Sequence, residues 1–177
     1  MSSTIYMMEA ANLFCGDHDP SLSKHLTLAE LKLPDLQAIY ADHHPGGARV
    51  AIELEVGIQK LEPTFKLNGF DPDLLTQFGL GARAKNVYTA YGVIVDKRLG
   101  TKIEGKAIIE ARLGKIAPDA FQRGELMGHE YALNEVTHYE LWFGGAPKIE
   151  WDFFTSVWRI DGVDQDADTN SILRVGG

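Results

Sequence analysis

Residues 102–113 read Lys-Ile-Glu-Gly-Lys-Ala-Ile-Ile-Glu-Ala-Arg-Leu, and this stretch decides the fold class. Ile103, Gly105, Ala107, Ile109, Ala111 and Leu113 alternate with Lys102, Glu104, Lys106, Ile108, Glu110 and Arg112. Side chains of an extended chain point to opposite faces in turn, so the pattern specifies a strand with one apolar and one mixed-charge face. Twelve residues of unbroken alternation exceed the usual strand of roughly 5–6 residues. Upstream, Leu99-Gly100 supplies a turn, and the β-branched and aromatic run Tyr88 to Val95 supplies a partner strand. The two form one long hairpin.

The same alternation recurs on either side. In residues 48–56, Val50, Ile52, Leu54 and Val56 oppose Arg49, Ala51, Glu53 and Glu55. Beyond Gly57, Leu61, Pro63, Phe65 and Leu67 oppose Glu62, Thr64 and Lys66. These two runs read as a second long hairpin, with Pro63 marking an edge strand or a bulge because it cannot donate to a ladder. Residues 127–143 form a third long strand, ending at Gly144-Gly145-Ala146-Pro147, with shorter strands at Ile149–Phe153 and Val157–Val163. Near the start, Asn12–Cys15 and Leu26–Leu33 suggest a further hairpin.

Departures from strand pattern are few. Asp71 is a good N-cap, Pro72 suits the first helical position, and Gly79 suits the stop, which predicts a short helix over 71–78 with Phe70, Leu74 and Phe78 on its apolar face. One helical turn is expected at 119–123, inside a loop from Pro118 to Gly124. Residues 34–47, with Pro34, Pro45, Gly46 and Gly47, read as an irregular extended arm. The fold expected is mainly β: an antiparallel sheet sandwich or open β-barrel with long hairpins and one short α-helix. Residues 1–177 make a single domain.

Composition narrows the function. The formal charge is −8 with no Lys/Arg cluster, which disfavours sequence-specific duplex DNA binding, since that needs a basic stripe. The lone Cys15 permits no intrachain disulfide and suits a reducing compartment. No basic region followed by an apolar core opens the sequence, and no apolar run is long enough to span a membrane, so neither a signal peptide nor membrane insertion is expected.

Catalytic and metal patterns find no support. His43-His44 with Asp42, and His18 between Asp17 and Asp19, have no ligand at a spacing that closes a metal site and read as solvated loop residues. His129 and His138 stand nine apart in one strand, hence on opposite faces. Cys15 reads as a buried strand thiol. The acids from Asp161 to Asp168 lack the spacing and closing Glu of a calcium loop. Neither Gly79-Leu80-Gly81 nor Gly144-Gly145 is a phosphate loop, and no Gly-x-Ser-x-Gly occurs. No enzyme and no cofactor are expected. Trp142, Trp151 and Trp158, with Phe143, Phe153 and Phe154, concentrate aromatic area near the end of the chain, as part core and part interface.

Strands this long leave edges and polar faces that a compact domain cannot use, which points to a subunit that polymerises with itself. The order of features is also familiar. Ala11-Asn12-Leu13-Phe14, then Leu26-Thr27-Leu28-Ala29-Glu30-Leu31, then Val50 to Phe65 behind Gly46-Gly47, and Asn68-Gly69 before the short helix, resemble the major tail tube proteins of contractile-tailed phages and the related R-type bacteriocins. Val136-Thr137-His138-Tyr139-Glu140-Leu141 and Ile160-Asp161-Gly162-Val163-Asp164-Gln165 resemble that family's closing strands.

The resemblance implies hexameric rings whose long hairpins complete a closed barrel around a lumen, stacked into a tube within a contractile sheath. It implies a virion component assembled in the host cytoplasm. The partners implied are further copies of the chain, the sheath, a tape-measure protein, the baseplate initiator, the tail terminator, and viral double-stranded DNA passing without specific binding. The polar strand faces become candidate lumen walls: Glu53, Glu55, Glu62, Lys66, Lys102, Glu104, Lys106, Glu110 and Arg112 (with Thr64). Their five acids and four bases nearly balance. Tyr40, His43, His44 and Arg49, in or beside the arm, are candidates for ring-to-ring contact. The alternatives are a type VI secretion tube protein and a monomeric β-barrel for a small ligand.

Overall fold

The computed structural model describes residues 3–16, 18–78 and 85–175. In chain order the strands are β1 (Tyr6–Cys15), β2 (Leu28–Lys32), β3 (Ala38–His43), β4 (Ile52–Ile58), β5 (Thr64–Asn68), β6 (Asn86–Asp96), β7 (Lys102–Pro118), β8 (Gly128–Phe143), β9 (Ala146–Asp152), β10 (Val157–Ile160) and β11 (Val163–Asp164). The α-helices are α1 (Pro72–Gln77) and α2 (Ala167–Leu173), with one 3-10 turn at Pro20–Leu22.

The expected 88–113 hairpin forms, with Tyr88 opposite Ile109 and Ala90 opposite Ala107, and it continues through β7 to β8. Gly144 and Gly145 close the β8–β9 hairpin with φ of 59° and 79°, the doubly positive turn that glycine adopts without steric cost. Ala107, Ile109, Ala111 and Leu113 are buried, as their alternation requires.

The sheet branches at β8. Its first half pairs with β5, which in turn pairs with β2; its second half pairs with β9, then β10. At the fork, Glu135 has φ 48° and the β7–β8 register shifts twice. The order β1-β6-β7-β8-β5-β2 curls around one core of Leu13, Phe65, Leu67, Tyr88, Ile109, Tyr131, Leu133 and Tyr139. Phe65 stacks on Tyr131 with ring centres 4.9 Å apart. β1 and β2 approach without pairing as strands, although Lys24 N–H donates to the Leu13 carbonyl at 3.0 Å. The barrel is open at that seam.

Several expectations are corrected. The 48–56 run does not pair with 61–67: β4 pairs with β3, which falls within the supposedly irregular arm 34–47. β5 is an inner strand, and Pro63 lies just before it, where no ladder donor is needed. The chain from 12 to 33 makes no hairpin of its own, because β1 and β2 pair with β6 and β5. No helical turn forms at 119–123, where β7 runs on to Pro118 and a turn follows. A second helix, α2, appears near the C-terminus.

At α1, Asp71 caps as expected, accepting from Leu74 N–H at 3.2 Å and pairing with Lys24 at 2.6 Å. Of its predicted apolar face only Leu74 is buried; Phe70 and Phe78 are exposed. Gly79, its expected stop, lies outside the described residues, as do Leu80, Gly81 and Asp17. No helix among the described residues is long and apolar enough to cross a membrane.

Candidate assembly surfaces

The outer face of the β7–β8–β9–β10 sheet is a continuous field of charge. Strand parity places Lys102, Glu104, Lys106, Glu110 and Arg112 on it, away from the core. Register then sets Lys106 opposite Trp142, Glu110 opposite His138, His138 opposite Asp152, Glu140 opposite Glu150, and Glu150 opposite Arg159. Like charges face each other at Glu140 and Glu150. The clash is relieved from both sides: Arg159 Nη1 donates to Glu150 at 2.9 Å, and Trp142 Nε1 donates to Glu140 at 2.6 Å.

His138 sits between two carboxylates, its Nε2 2.8 Å from Glu140 and its Nδ1 3.0 Å from Asp152. Burial favours the neutral ring, but the hydrogen bonds and charges of Glu140 and Asp152 prevail and raise its pKa. Asp152 is held low despite burial, by Thr155 N–H and hydroxyl and by His138. Lys106 lies 4.6 Å from the Trp142 ring centre, a cation–π contact.

The nine candidate lumen residues therefore do not share one surface. Five lie together on β7, while Lys66 lies on the outer side of β5, paired with Asp119 at 2.8 Å. Glu62 stands before β5 and pairs with Lys60 at 2.7 Å. Glu53 and Glu55 lie on β4, in a separate two-stranded sheet. The partners His138, Glu140, Glu150, Asp152 and Arg159 escaped the sequence reading. Their alternation within the third long strand was the signal that could have found them.

The β3–β4 hairpin is the second surface. Among the described residues it is hydrogen-bonded to no other strand. Register places Ala41, His43, Ile52 and Leu54 on one side and Tyr40, Asp42, Glu53 and Glu55 on the other. Both sides are exposed: Ile52 by 51%, Leu54 by 46% and Tyr40 by 57%. Tyr40, His43, His44 and Arg49, the ring-contact candidates, are all exposed and lie together in this hairpin. The apolar row expected from alternation, Val50, Ile52, Leu54 and Val56, is exposed throughout.

The third surface joins the β9–β10 turn to α2. Phe153 and Phe154 are exposed and meet edge to face at 5.3 Å, with Lys85 5.3 Å from the Phe154 ring centre. Asn170 Nδ2 ties α2 to the Ser156 carbonyl at 2.6 Å, leaving Ile172 and Leu173 in solvent. Trp151 packs on the core and Trp158 is half-buried. Among the described residues no His, Cys, Asp and Glu side chains gather as a metal-ligand set. Burial pushes the Cys15 thiol up to about 12, far from a nucleophile's range.

Comparison with solved structures finds the same fold in contractile machines. A chain of an extracellular contractile injection system, the PVC sheath–tube complex in its extended state, superimposes with a TM-score of 0.55 at 11% identity, covering 75% of this chain and 88% of that one. A chain of the PVC sheath/tube terminator gives 0.52 at 13% identity, covering 72% and 91%. A chain of the 6-fold symmetrised anti-feeding prophage baseplate gives 0.51 at 9% identity, covering 80% and 95%. A search of curated protein sequences finds no significant match. The profile of the family Phage tail tube protein FII matches residues 18–173, almost the whole chain. The chain belongs to the phage tail tube protein FII family.

Proposed function

We propose that copies of this chain form hexameric rings that stack into the inner tube of a contractile tail, the conduit through which a genome crosses the host envelope. The observation that carries this reading is the β3–β4 hairpin, a two-stranded sheet exposed on both faces. An isolated hairpin is marginal in water, and its unpartnered apolar row costs the monomer solvent exposure that a neighbouring copy can remove. The open seam of the barrel and the free edge of β1 supply further unpaired backbone, which ring closure through strand pairing would satisfy. Sixfold rings agree with the symmetry of the similar baseplate structure.

In this arrangement the β7–β8–β9–β10 charge field is the lumen wall and the hairpin makes the ring-to-ring contact. The wall is close to neutral: Glu104, Glu110, Glu140, Glu150 and Asp152 against Lys102, Lys106, Arg112 and Arg159, with His138 poised to add a positive charge. A wall of fixed, mutually paired charges offers no basic stripe to hold phosphates, so duplex DNA can slide past it. The sheath, tape-measure protein, baseplate initiator and tail terminator follow as partners, with assembly in the host cytoplasm. The role is structural, with no catalysis.

Electron microscopy of the purified chain tests the reading directly. Rings or tubes with a central channel are expected; a persistent monomer under all conditions would refute it. A variant lacking residues 38–47 is expected to stay soluble and to form no long tubes.

A further inference from the structure

Strands β9 and β10 turn two tryptophans to the same side. Trp151 stands directly opposite Trp158 in their register, so the indoles are neighbours on one face, the face away from Glu150 and Arg159. Trp151 rests on the core and Trp158 is half-buried. A pocket of about 580 Å³ lies against the pair and is bordered on its other side by the foot of the β3–β4 hairpin. Pockets of roughly 300–1,000 Å³ suit small organic ligands.

What the hairpin brings to the pocket depends on an irregularity. The β3–β4 register shifts so that Tyr40 faces Glu55 while Ile39 faces Gly57, and Val56 is left over as a bulge. Strict alternation would send Glu55 and Ile58 to opposite faces. The bulge puts both on the side of Ala38 and Tyr40, and both line the pocket. Asp166 lines it from the start of α2, where it stands as the N-cap residue and makes no side-chain capping bond.

Charge around this pocket is one-sided. Among the described residues the carboxylates of Glu55 and Asp166 have no ion-pair or hydrogen-bond partner. The one base in the lining, Lys60, is paired to Glu62 at 2.7 Å. Uncompensated carboxylates and aromatic rings with negative faces attract positive charge together. A neutral apolar ligand would strip water from both carboxylates and return nothing to them. The ligand these groups select therefore carries ammonium donors for the acids and an apolar body for Ile58 and the indoles.

We infer that this pocket binds a small organic cation of the polyamine class, with its ammonium groups at Glu55 and Asp166 and its alkyl chain over Trp151 and Trp158. The site is complete within one copy of the chain, so it stands independently of the tube reading. A bound polyamine ties the foot of the hairpin to the start of α2.

The test titrates the full-length chain with putrescine at constant ionic strength and reads tryptophan emission. A saturable change is expected, and none from butanediol, which has the same length and no charge. Glu55→Gln and Asp166→Asn are each expected to weaken putrescine binding roughly threefold or more without changing the melting temperature. Asp73→Asn, on exposed α1, is expected to leave binding unchanged. No saturable response, or an equal response to butanediol, would overturn the inference. So would a loss with Asp73→Asn equal to that with Glu55→Gln, which would show diffuse attraction to an acidic chain. Saturable binding of the neutral disaccharide maltose in place of putrescine would make this a carbohydrate site and would overturn it too.

Discussion

Strands β7 and β4 carry the same alternation and meet opposite fates. On β7 the odd-numbered positions from Gly105 to Leu113 are buried toward the core, and the charged side faces outward. On β4 every residue from Ile52 to Ile58 is exposed, apolar and acidic alike. Period-two patterning says that a chain has an apolar side; it does not say whether that side is covered by the same molecule or by another. The barrel body spends its apolar faces internally. The hairpin leaves its own in solvent, and under the proposed tube this division would separate folding from assembly.

Two substitutions of similar chemistry should break on that line. Phe65→Ala removes a ring that is 2% exposed and stacked on Tyr131, and is expected to cost the monomer about 3–5 kcal/mol. Denaturant unfolding of the isolated subunit measures it. Leu54→Asp is expected to change the same measurement by less than about 0.5 kcal/mol, yet to abolish tubes seen by microscopy. A Leu54→Asp subunit that is destabilised as severely as Phe65→Ala would mean the hairpin packs within its own chain.

A sharper version of the comparison asks where each charged side points in the assembly. Glu104→Cys on the β7 wall is expected to react freely with a bulky maleimide in the monomer and to be protected in intact tubes. Asp73→Cys, on exposed α1, serves as the control that reads whether protection is confined to the wall. Ready labelling of Glu104→Cys in tubes would remove the β7 face from the lumen.

Much of the barrel was legible because its signals are local. The 88–113 hairpin, the long third strand, the Gly144-Gly145 turn and the Asp71-Pro72 helix start each rest on neighbours in sequence. The pairing of β4 with β3 was not legible, since Ala38–His43 has no clean alternation and sits among prolines and glycines that suggest an irregular arm. The branching of β8 was hidden for a different reason. A strand's sequence fixes its faces but not its edge partners, and the two halves of β8 differ only in which edge takes β5 and which takes β9. Of the candidate wall residues the five on β7 were legible together. The His138 cluster was not, because it exists only through cross-strand register.

That cluster yields the smallest effect and the most specific one. His138 has both ring nitrogens against carboxylates, an arrangement that suits the imidazolium, and its folded pKa is raised. A raised folded pKa contributes stability that is full below the unfolded value of about 6.5 and is lost as pH rises through the folded value. Asp152 is lowered, so its contribution is present above about 3.8 and is lost as pH falls through its folded value. The two windows overlap between roughly pH 4 and 6.5, where the cluster should support the sheet most.

His138→Gln keeps a hydrogen-bonding side chain and removes the titration. It is expected to flatten the decline in stability between pH 6 and 8 relative to the parent, by less than about 1 kcal/mol. A parent and variant with parallel pH profiles across that range would show that His138 stays neutral. Lys106, Arg112 and Arg159 oppose its charge from the neighbouring strands, while Glu110, Glu140, Glu150 and Asp152 favour it. The sign of the slope therefore reports which set prevails on the wall.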